Sequence, residues 1–172
     1  MNAKIRLSEL NSMPAADFVA ALGGIFEHSP WVAEQAAASR PFADIEALHR
    51  TMVQKIEAAG EEAQLKLIRA HPELGGKLAV RGELTAESTQ EQAGAGLNQC
   101  SPEEFEELTG LNARYGEKFG FPFILAVRGH NRQSIIGEFR RRIELNVQEE
   151  QQESLRQIYR IGLFRLQDLI EE

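Results

Sequence analysis

ADIEALHRTMVQKIEAA, residues 43 to 59, places its apolar side chains along one stripe of a helix. Ile45, Leu48, Met52, Val53 and Ile56 fall at positions i, i+3, i+7, i+8 and i+11. This spacing returns to the same face of an α-helix every three to four residues. A helix with such a stripe has to bury it against other elements, and most of the remaining chain has the same helical period.

Local signals mark the ends of the neighbouring helices. A second helix near residues 61–70 stops where His71 precedes Pro72, because a proline ring disfavours the α conformation of the residue before it. Ser101-Pro102-Glu103-Glu104 is a capping box with proline at the first helical position, and it opens a helix that runs towards Gly116. Further helical patterns cover residues 14–23, 30–39, 86–96, 131–146 and 149–170.

These patterns predict an all-α protein, a single-domain helical bundle of about seven to nine helices over residues 1–172. In the last helix the expected buried stripe has Arg156 and Arg165 at its two edges. The charged residues at 61–62, 103–107 and 149–153 are expected in solvated first turns, and Arg140, Arg141 and Arg142 at the surface. The members of the buried stripe are Leu155, Ile158, Tyr159, Leu163, Leu166, Leu169 and Ile170.

One short segment has a different pattern. FGFPFILAV, residues 119–127, is rich in aromatic and β-branched residues and is predicted to be extended, with no evident second strand to pair with it. Its backbone N–H and C=O groups must find partners, and a bound ligand is one possibility. A short helix or a turn is the alternative.

Composition excludes several classes of protein. The chain has 26 acidic and 19 basic side chains and a formal charge of -7, so a phosphate backbone would be repelled and nucleic acid is not an expected partner. The longest apolar run, FPFILAV, is too short to cross a bilayer, and the N-terminus has no signal-peptide core. The single cysteine, Cys100, fits a reducing compartment. Together these features predict a cytoplasmic protein without a membrane partner.

The chain has four histidines, His28, His49, His71 and His130, and none has the spacing of a metal site. No metal is therefore expected. His71 differs from the others because it stands at a helix end, and a helix C-terminus favours the protonated imidazole, which suits proton transfer near neutral pH. The alternative is that His71-Pro72 is only a helix stop. Gly75-Gly76, just beyond, would let other backbone approach closely.

A polar helical face follows in STQEQAGAGL, residues 88–97. Ser88, Glu91, Gln92 and Ala95 fall at i, i+3, i+4 and i+7, so a hydroxyl, a carboxylate and a carboxamide share one face. The interpretation as a functional face and the interpretation as an ordinary solvated face both remain open. Close backbone packing is expected at the small residues Ala93, Gly94 and Gly96.

Taken together, these pieces resemble the family of 2-oxo-4-hydroxy-4-carboxy-5-ureidoimidazoline (OHCU) decarboxylases. The resemblance spans nearly the whole chain. Each motif is weakly specific by itself, and their order along the chain makes the resemblance specific. The motifs are FEHSPWVA (26–33), AHPELGGKLA (70–79), STQEQAGAGL (88–97), FGFPFILAVRG (119–129) and RIGLFRLQDL (160–169).

The resemblance implies a cofactor-free carboxy-lyase, usually a homodimer, that converts the small molecule OHCU to (S)-allantoin, the third step from urate to allantoin. It implies that His71 is the catalytic histidine and Glu91 its acidic partner. Pro72, Ser88 and Gln92 match substrate-contacting segments, and Arg165 matches the arginine of the last helix. The extended segment whose backbone meets the ligand corresponds to Phe123, Ile124, Leu125, Ala126 and Val127.

This interpretation rests on one spatial expectation: His71, Glu91 and Arg165 should converge on a single cavity roofed by the main chain of residues 123–127. Two other functions remain open. One is a helical binding or adaptor module without turnover, whose polar face at 88–92 binds a partner. The other is a ring-opening amidohydrolase in which His71 and Glu91 activate water.

Overall fold

The computed structural model of this protein describes residues 3–76 and 82–172. Helices make up most of this part of the chain, so the prediction of an all-α fold is confirmed. The helices are α1 (Leu7–Ser12), α2 (Ala15–Leu22), α3 (Trp31–Ala37), α4 (Ile45–Ala59), α5 (Glu61–Arg69), α6 (Ala86–Gly94), α7 (Pro102–Phe119), α8 (Arg132–Arg142) and α9 (Val147–Leu169). A 3₁₀ turn, Leu97–Gln99, lies between α6 and α7.

Two very short strands lie near the chain ends, where the sequence pattern indicated none. β1 (Ile5–Arg6) and β2 (Ile170–Glu171) pair in parallel, with Ile5 opposite Ile170. A strand of two residues is too short to show the alternation of apolar and polar residues that identifies strands. The sequence around each strand therefore gave no pattern from which this pairing could be predicted.

The chain divides into two compact units. One consists of the chain up to Ala70 together with Tyr159–Glu172, and the other of His71–Ile158. Helix α9 contributes residues to both units. The expectation of one domain over residues 1–172 stays a prediction.

The first unit has its core around α2, α3 and α4. Leu48, Met52 and Ile56 of α4 are fully buried, as the stripe in residues 43–59 predicted. Asp44 begins this helix, since its side chain accepts a hydrogen bond of 2.7 Å from the Ala47 N–H. Other buried side chains of this core are Phe18, Leu22, Phe26, Val32 and Ala36.

The second unit has an aromatic core around Tyr115, which is fully buried. The Phe123 and Phe139 rings stack with centroids 4.0 Å apart, and the Phe123 ring lies edge-on to Tyr115. The capping box at Ser101 and Glu104 is present as predicted. Helix α7 continues beyond Gly116 to Phe119, because Gly120, at a φ of 76°, is the residue that ends it in the left-handed conformation.

The buried face of α9 is more polar than the predicted stripe. Ile158, Leu166 and Ile170 are buried as expected, whereas Leu155, Tyr159, Leu163 and Leu169 are only partly buried. In their place Ser154, Gln157 and Arg165 are buried. The helix approaches Phe26 closely at Gly162, since a Cβ there would lie 2.8 Å from the Phe26 ring.

Candidate active site

His71 lies immediately beyond the C-terminal end of α5, as the His71-Pro72 pair predicted. Ala70 is the C-cap, and its N–H donates to the Lys66 carbonyl at 3.0 Å. The His71 side chain is buried and Pro72 is half-buried. The chain then turns at Gly75, which has a φ of 64°, a conformation that favours glycine.

Helix α6 turns its polar face inward. Its N-cap, Thr85, accepts a hydrogen bond of 3.2 Å from the Ser88 N–H. Ser88 and Gln92 are only 4% and 5% exposed, and Glu91 is half-buried. The interpretation as an ordinary solvated face is therefore wrong for Ser88 and Gln92.

The small residues of α6 have a different role from the one expected. Ala93 and Gly94 are exposed, and a Cβ at Gly94 would meet nothing within 4 Å, so neither permits close packing. Gly96 adopts a φ of 82° and ends the helix instead. Close packing occurs at Gly76, where a Cβ would lie 2.7 Å from the Cβ of Glu73.

Two buried amides hold the loop that begins at His71. The Gln92 Oε1 accepts a hydrogen bond of 3.0 Å from the Gly75 N–H, and its Nε2 lies 3.4 Å from the Glu73 carbonyl. Asn112 of α7 donates from Nδ2 to the Leu74 carbonyl at 3.0 Å. The structure thus brings Gln92 together with the His71 loop, and the Gln92 amide supports that loop.

The segment Phe123 to Val127 is wholly buried and lies in neither a helix nor a strand, so the short-helix alternative is wrong. Part of its backbone is hydrogen-bonded within the protein. The Ala126 N–H donates to the Gln157 Oε1 at 3.0 Å, and the Ile124 carbonyl accepts from the Arg142 guanidinium. The Ala126 N–H is therefore not available to a ligand while the Gln157 bond stands.

Arg142 and Glu150 form a fully buried ion pair, which corrects two expectations. Arg142 was expected at the surface with Arg140 and Arg141, and Glu150 in a solvated first turn. The Arg142 Nε lies 2.7 Å from the Glu150 Oε1, and both side chains are 0% exposed. The Tyr115 hydroxyl also donates to this carboxylate. The pKa of Tyr115 is raised, mainly because the side chain is buried and secondly because of this hydrogen bond.

Arg165 is itself buried, whereas it was expected at an edge of the buried stripe of α9. Its Nη2 lies 2.9 Å from the Glu27 Oε1, and its Nη1 donates to the Ile25 carbonyl at 3.2 Å. Glu27 is 2% exposed, and sequence reasoning gave it no role although it lies in the quoted motif FEHSPWVA. The signal that could have identified it is an acidic residue directly after the apolar pair Ile25-Phe26.

The other three histidines each have a described contact. His28 is exposed, with a φ of 48°, and its Nε2 lies 4.0 Å from the Oε2 of Glu27, the partner of Arg165. The Nδ1 of His130 lies 3.0 Å from the Ser134 hydroxyl. The His49 Nε2 lies 2.7 Å from the Tyr159 carbonyl, and burial lowers the pKa of His49. Over residues 3–76 and 82–172, no three His, Cys, Asp or Glu side chains are grouped so as to bind a metal ion.

The predicted site residues fall in both compact units. His71, Pro72, Ser88, Glu91, Gln92 and residues 123–127 belong to one unit, and Arg165 belongs to the other. The expectation that His71, Glu91 and Arg165 converge on one cavity stays a prediction. Of the motif at 70–79, Lys77, Leu78 and Ala79 lie outside the described residues.

Comparison with known proteins identifies relatives over nearly the whole chain. The chain is 44% identical over 166 residues to the uric acid degradation bifunctional protein PucL of Bacillus subtilis, covering 96% of this chain and 33% of PucL. It is 40% identical over 163 residues to the 2-oxo-4-hydroxy-4-carboxy-5-ureidoimidazoline decarboxylase of Haloferax volcanii, covering 95% of each protein. The chain thus spans about a third of the bifunctional relatives' length.

The fold has a counterpart among solved structures. A crystal structure of an (S)-allantoin synthase superposes with a TM-score of 0.77 at 28% identity, covering 96% of this chain and 54% of that one. The family model described as OHCU decarboxylase matches residues 11–167. This chain therefore belongs to the OHCU decarboxylase family.

Proposed function

We propose that this protein decarboxylates OHCU to (S)-allantoin, the third step of the conversion of urate to allantoin, without a cofactor. The observation that carries the proposal is the family match over residues 11–167. Support comes from a relative of nearly the same length that is named as this decarboxylase. The buried His71 at a helix end supplies the acid or base that the reaction needs.

The chemistry of OHCU defines what the protein must provide. The substrate carries a carboxylate on a carbon that also bears a hydroxyl, within a planar ring that has a ureido arm. Loss of CO2 leaves negative charge on that carbon, and the adjacent C=N of the ring can accept it. The reaction therefore needs an anchor for the substrate, a group that moves a proton, and a pocket that exposes one face of the ring.

His71 and Glu91 are the proposed acid-base pair. The imidazole takes the hydroxyl proton or returns a proton to the electron-rich intermediate, which contributes roughly 10²–10⁴-fold to the rate. Glu91 holds the imidazole in one tautomer. Protonation from one side gives a single enantiomer. Pro72, Ser88 and Gln92 complete this side of the pocket.

Arg165 is the proposed anchor for a substrate carboxylate or ring oxygen. A guanidinium is planar and always charged, and it binds such groups through paired N–H donors. Glu27 and the Ile25 carbonyl hold the guanidinium in one orientation, so little freedom is lost when a ligand binds. The backbone of residues 123–127 is proposed to bind the ring and ureido edges.

The proposal includes a homodimer in the cytoplasm, both implied by the family resemblance. None of the described helices is long and apolar enough to cross a membrane. Sedimentation of the purified protein tests the dimer, for which a mass of twice 19.2 kDa is expected.

A coupled reaction tests the activity. Urate is treated with uricase and hydroxyisourate hydrolase, and circular dichroism follows the product. Addition of this protein is expected to speed the appearance of optically active allantoin and the release of CO2. Optical activity without CO2 release would indicate the ring-opening hydrolase, and the absence of any acceleration would leave the adaptor function.

His71→Ala is expected to abolish this acceleration, because the variant loses the proton donor or acceptor. His130→Ala is the matched control, since His130 is partly exposed and its ring bonds Ser134. The far-ultraviolet circular dichroism of both variants should match that of the parent protein. Full activity in a folded His71→Ala variant would remove His71 from the mechanism.

A further inference from the structure

The first half of α9 has a buried polar stripe that the proposed mechanism does not use. Glu150, Ser154 and Gln157 follow one another at i, i+4 and i+7, so they share one face of the helix. Each is less than a tenth exposed. Polar groups are costly to bury unless they are hydrogen-bonded. The partners of this stripe include Arg142 and the main chain of the segment 123–127.

The contacts with that segment fall on alternate residues. Gln157 accepts from the Ala126 N–H at 3.0 Å, and Arg142 donates from Nη1 to the Ile124 carbonyl. Side chains of α8 and α9 therefore hold the main chain of the segment at two points, and the N–H and C=O of Leu125 lie between them.

Both holding groups are themselves fixed. The Arg142 guanidinium forms a bidentate ion pair with Glu150, with hydrogen bonds of 2.7 Å from Nε and 2.9 Å from Nη2. It also lies 4.5 Å from the centre of the Phe123 ring. The Gln157 Nε2 donates to the Glu153 Oε1 at 2.9 Å. This bond sets which end of the carboxamide faces the segment, so the Oε1 is presented to Ala126.

We propose that Gln157 and Arg142 are positioning residues that fix the main chain of residues 124–126 for substrate binding. The inference rests on the proposed function, in which this segment binds the substrate. The two side chains act through the backbone and do not contact the substrate. They orient the Leu125 backbone between these two points, whose N–H donor suits a carbonyl or ureido oxygen of the substrate.

Gln157→Met tests the proposal, because methionine keeps the length of the side chain and removes the acceptor. The Ala126 N–H then has no fixed partner, so the segment loses its orientation. KM for OHCU is expected to rise about tenfold, with a smaller change in kcat, since binding rather than proton transfer is affected. Ile158→Val is the matched control, as it trims the adjacent buried residue of α9, and its KM should equal that of the parent protein.

An exchange variant provides the rescue. Gln157→Glu combined with Glu153→Gln restores an acceptor at position 157 and a donor at position 153, with the net charge unchanged. KM is expected to return to within about twofold of the parent value, because an acceptor again holds the Ala126 N–H. The same exchange keeps the test available should Gln157→Met fail to fold.

The outcomes separate the two levels of the argument. A parent protein that does not accelerate OHCU decay rejects the proposed function. An active parent with an unchanged KM in Gln157→Met overturns the positioning role and leaves the function standing. An equal rise of KM in Ile158→Val, or an exchange variant that stays impaired, also overturns it, because the effect would then be a general loss of stability.

Discussion

Arg142 shows what a single buried charge contributes to this protein. Arg142→Met leaves the Glu150 carboxylate buried without its cationic partner, so the free energy of unfolding is expected to fall by about 3–5 kcal/mol. Arg142→Met with Glu150→Met should recover much of this loss, because both charges are then removed. Urea denaturation, monitored by circular dichroism, measures the free energy of unfolding of the parent protein, of Arg142→Met and of the double variant.

Arg140→Met is the matched control in the same run of arginines. The Arg140 side chain is 62% exposed and pairs with Glu107, and exposed pairs contribute no more than about 1 kcal/mol. A similar loss of stability in Arg140→Met and Arg142→Met would contradict the distinction between the exposed and the buried arginine.

His49 is expected to make stability depend on pH. Burial, the largest cause, lowers its pKa below the ordinary 6.5, and the hydrogen bond to the Tyr159 carbonyl opposes this shift. The unfolded chain therefore binds a proton more readily than the folded one as the pH falls through 6.5. The stability that neutral His49 contributes is present above this pH and is lost progressively below it.

His49→Gln tests this dependence, because glutamine keeps a donor for the Tyr159 carbonyl and cannot be protonated. Between about pH 7 and pH 5 the free energy of unfolding should fall less in the variant than in the parent protein. Urea denaturation at several pH values gives the two curves. Parallel curves would show that protonation of His49 does not contribute to the pH dependence of stability.

At the scale of elements, Gly110 inside α7 and Gly120 at its C-terminal end have opposite roles. Gly110 lies in the exposed helix interior with open space around its Cα, so Gly110→Ala should stabilise the protein by up to about 1 kcal/mol. Gly120 ends the helix at a φ of 76°, so Gly120→Ala should destabilise it by about 1–2 kcal/mol. Thermal unfolding of both variants gives the sign of each change in stability. Changes of the same sign would contradict the assigned end of α7.

At the scale of the whole molecule, the pairing of β1 with β2 joins the two ends of the chain within one compact unit. Ile170→Ala removes a buried side chain from this pairing and should cost about 2–5 kcal/mol. The loss of amide protection in hydrogen exchange is expected to be largest in β1, in the last turns of α9 and in the helices up to Ala70. A loss confined to residues 82–158 would contradict this division of the chain.

Much of the fold could be predicted because helices carry their signals locally. The stripe at Leu48, Met52 and Ile56, the capping box at Ser101 and the stop at His71-Pro72 are each encoded within a few residues. The order of five motifs also identified the family. The β1–β2 pair could not be predicted, because its two partners are distant in sequence and too short for a periodic pattern.

The sequence by itself therefore determined the helical architecture, the main helix starts and stops, and the family. Only the tertiary structure decided which polar side chains are buried: Arg142 with Glu150, Arg165 with Glu27, and Gln157 with the Ala126 N–H. The physical reason is that a charged or polar residue favours solvent unless a partner offsets its loss of hydration. In these cases the partners are 8, 138 and 31 residues away, and a local pattern does not bring them together.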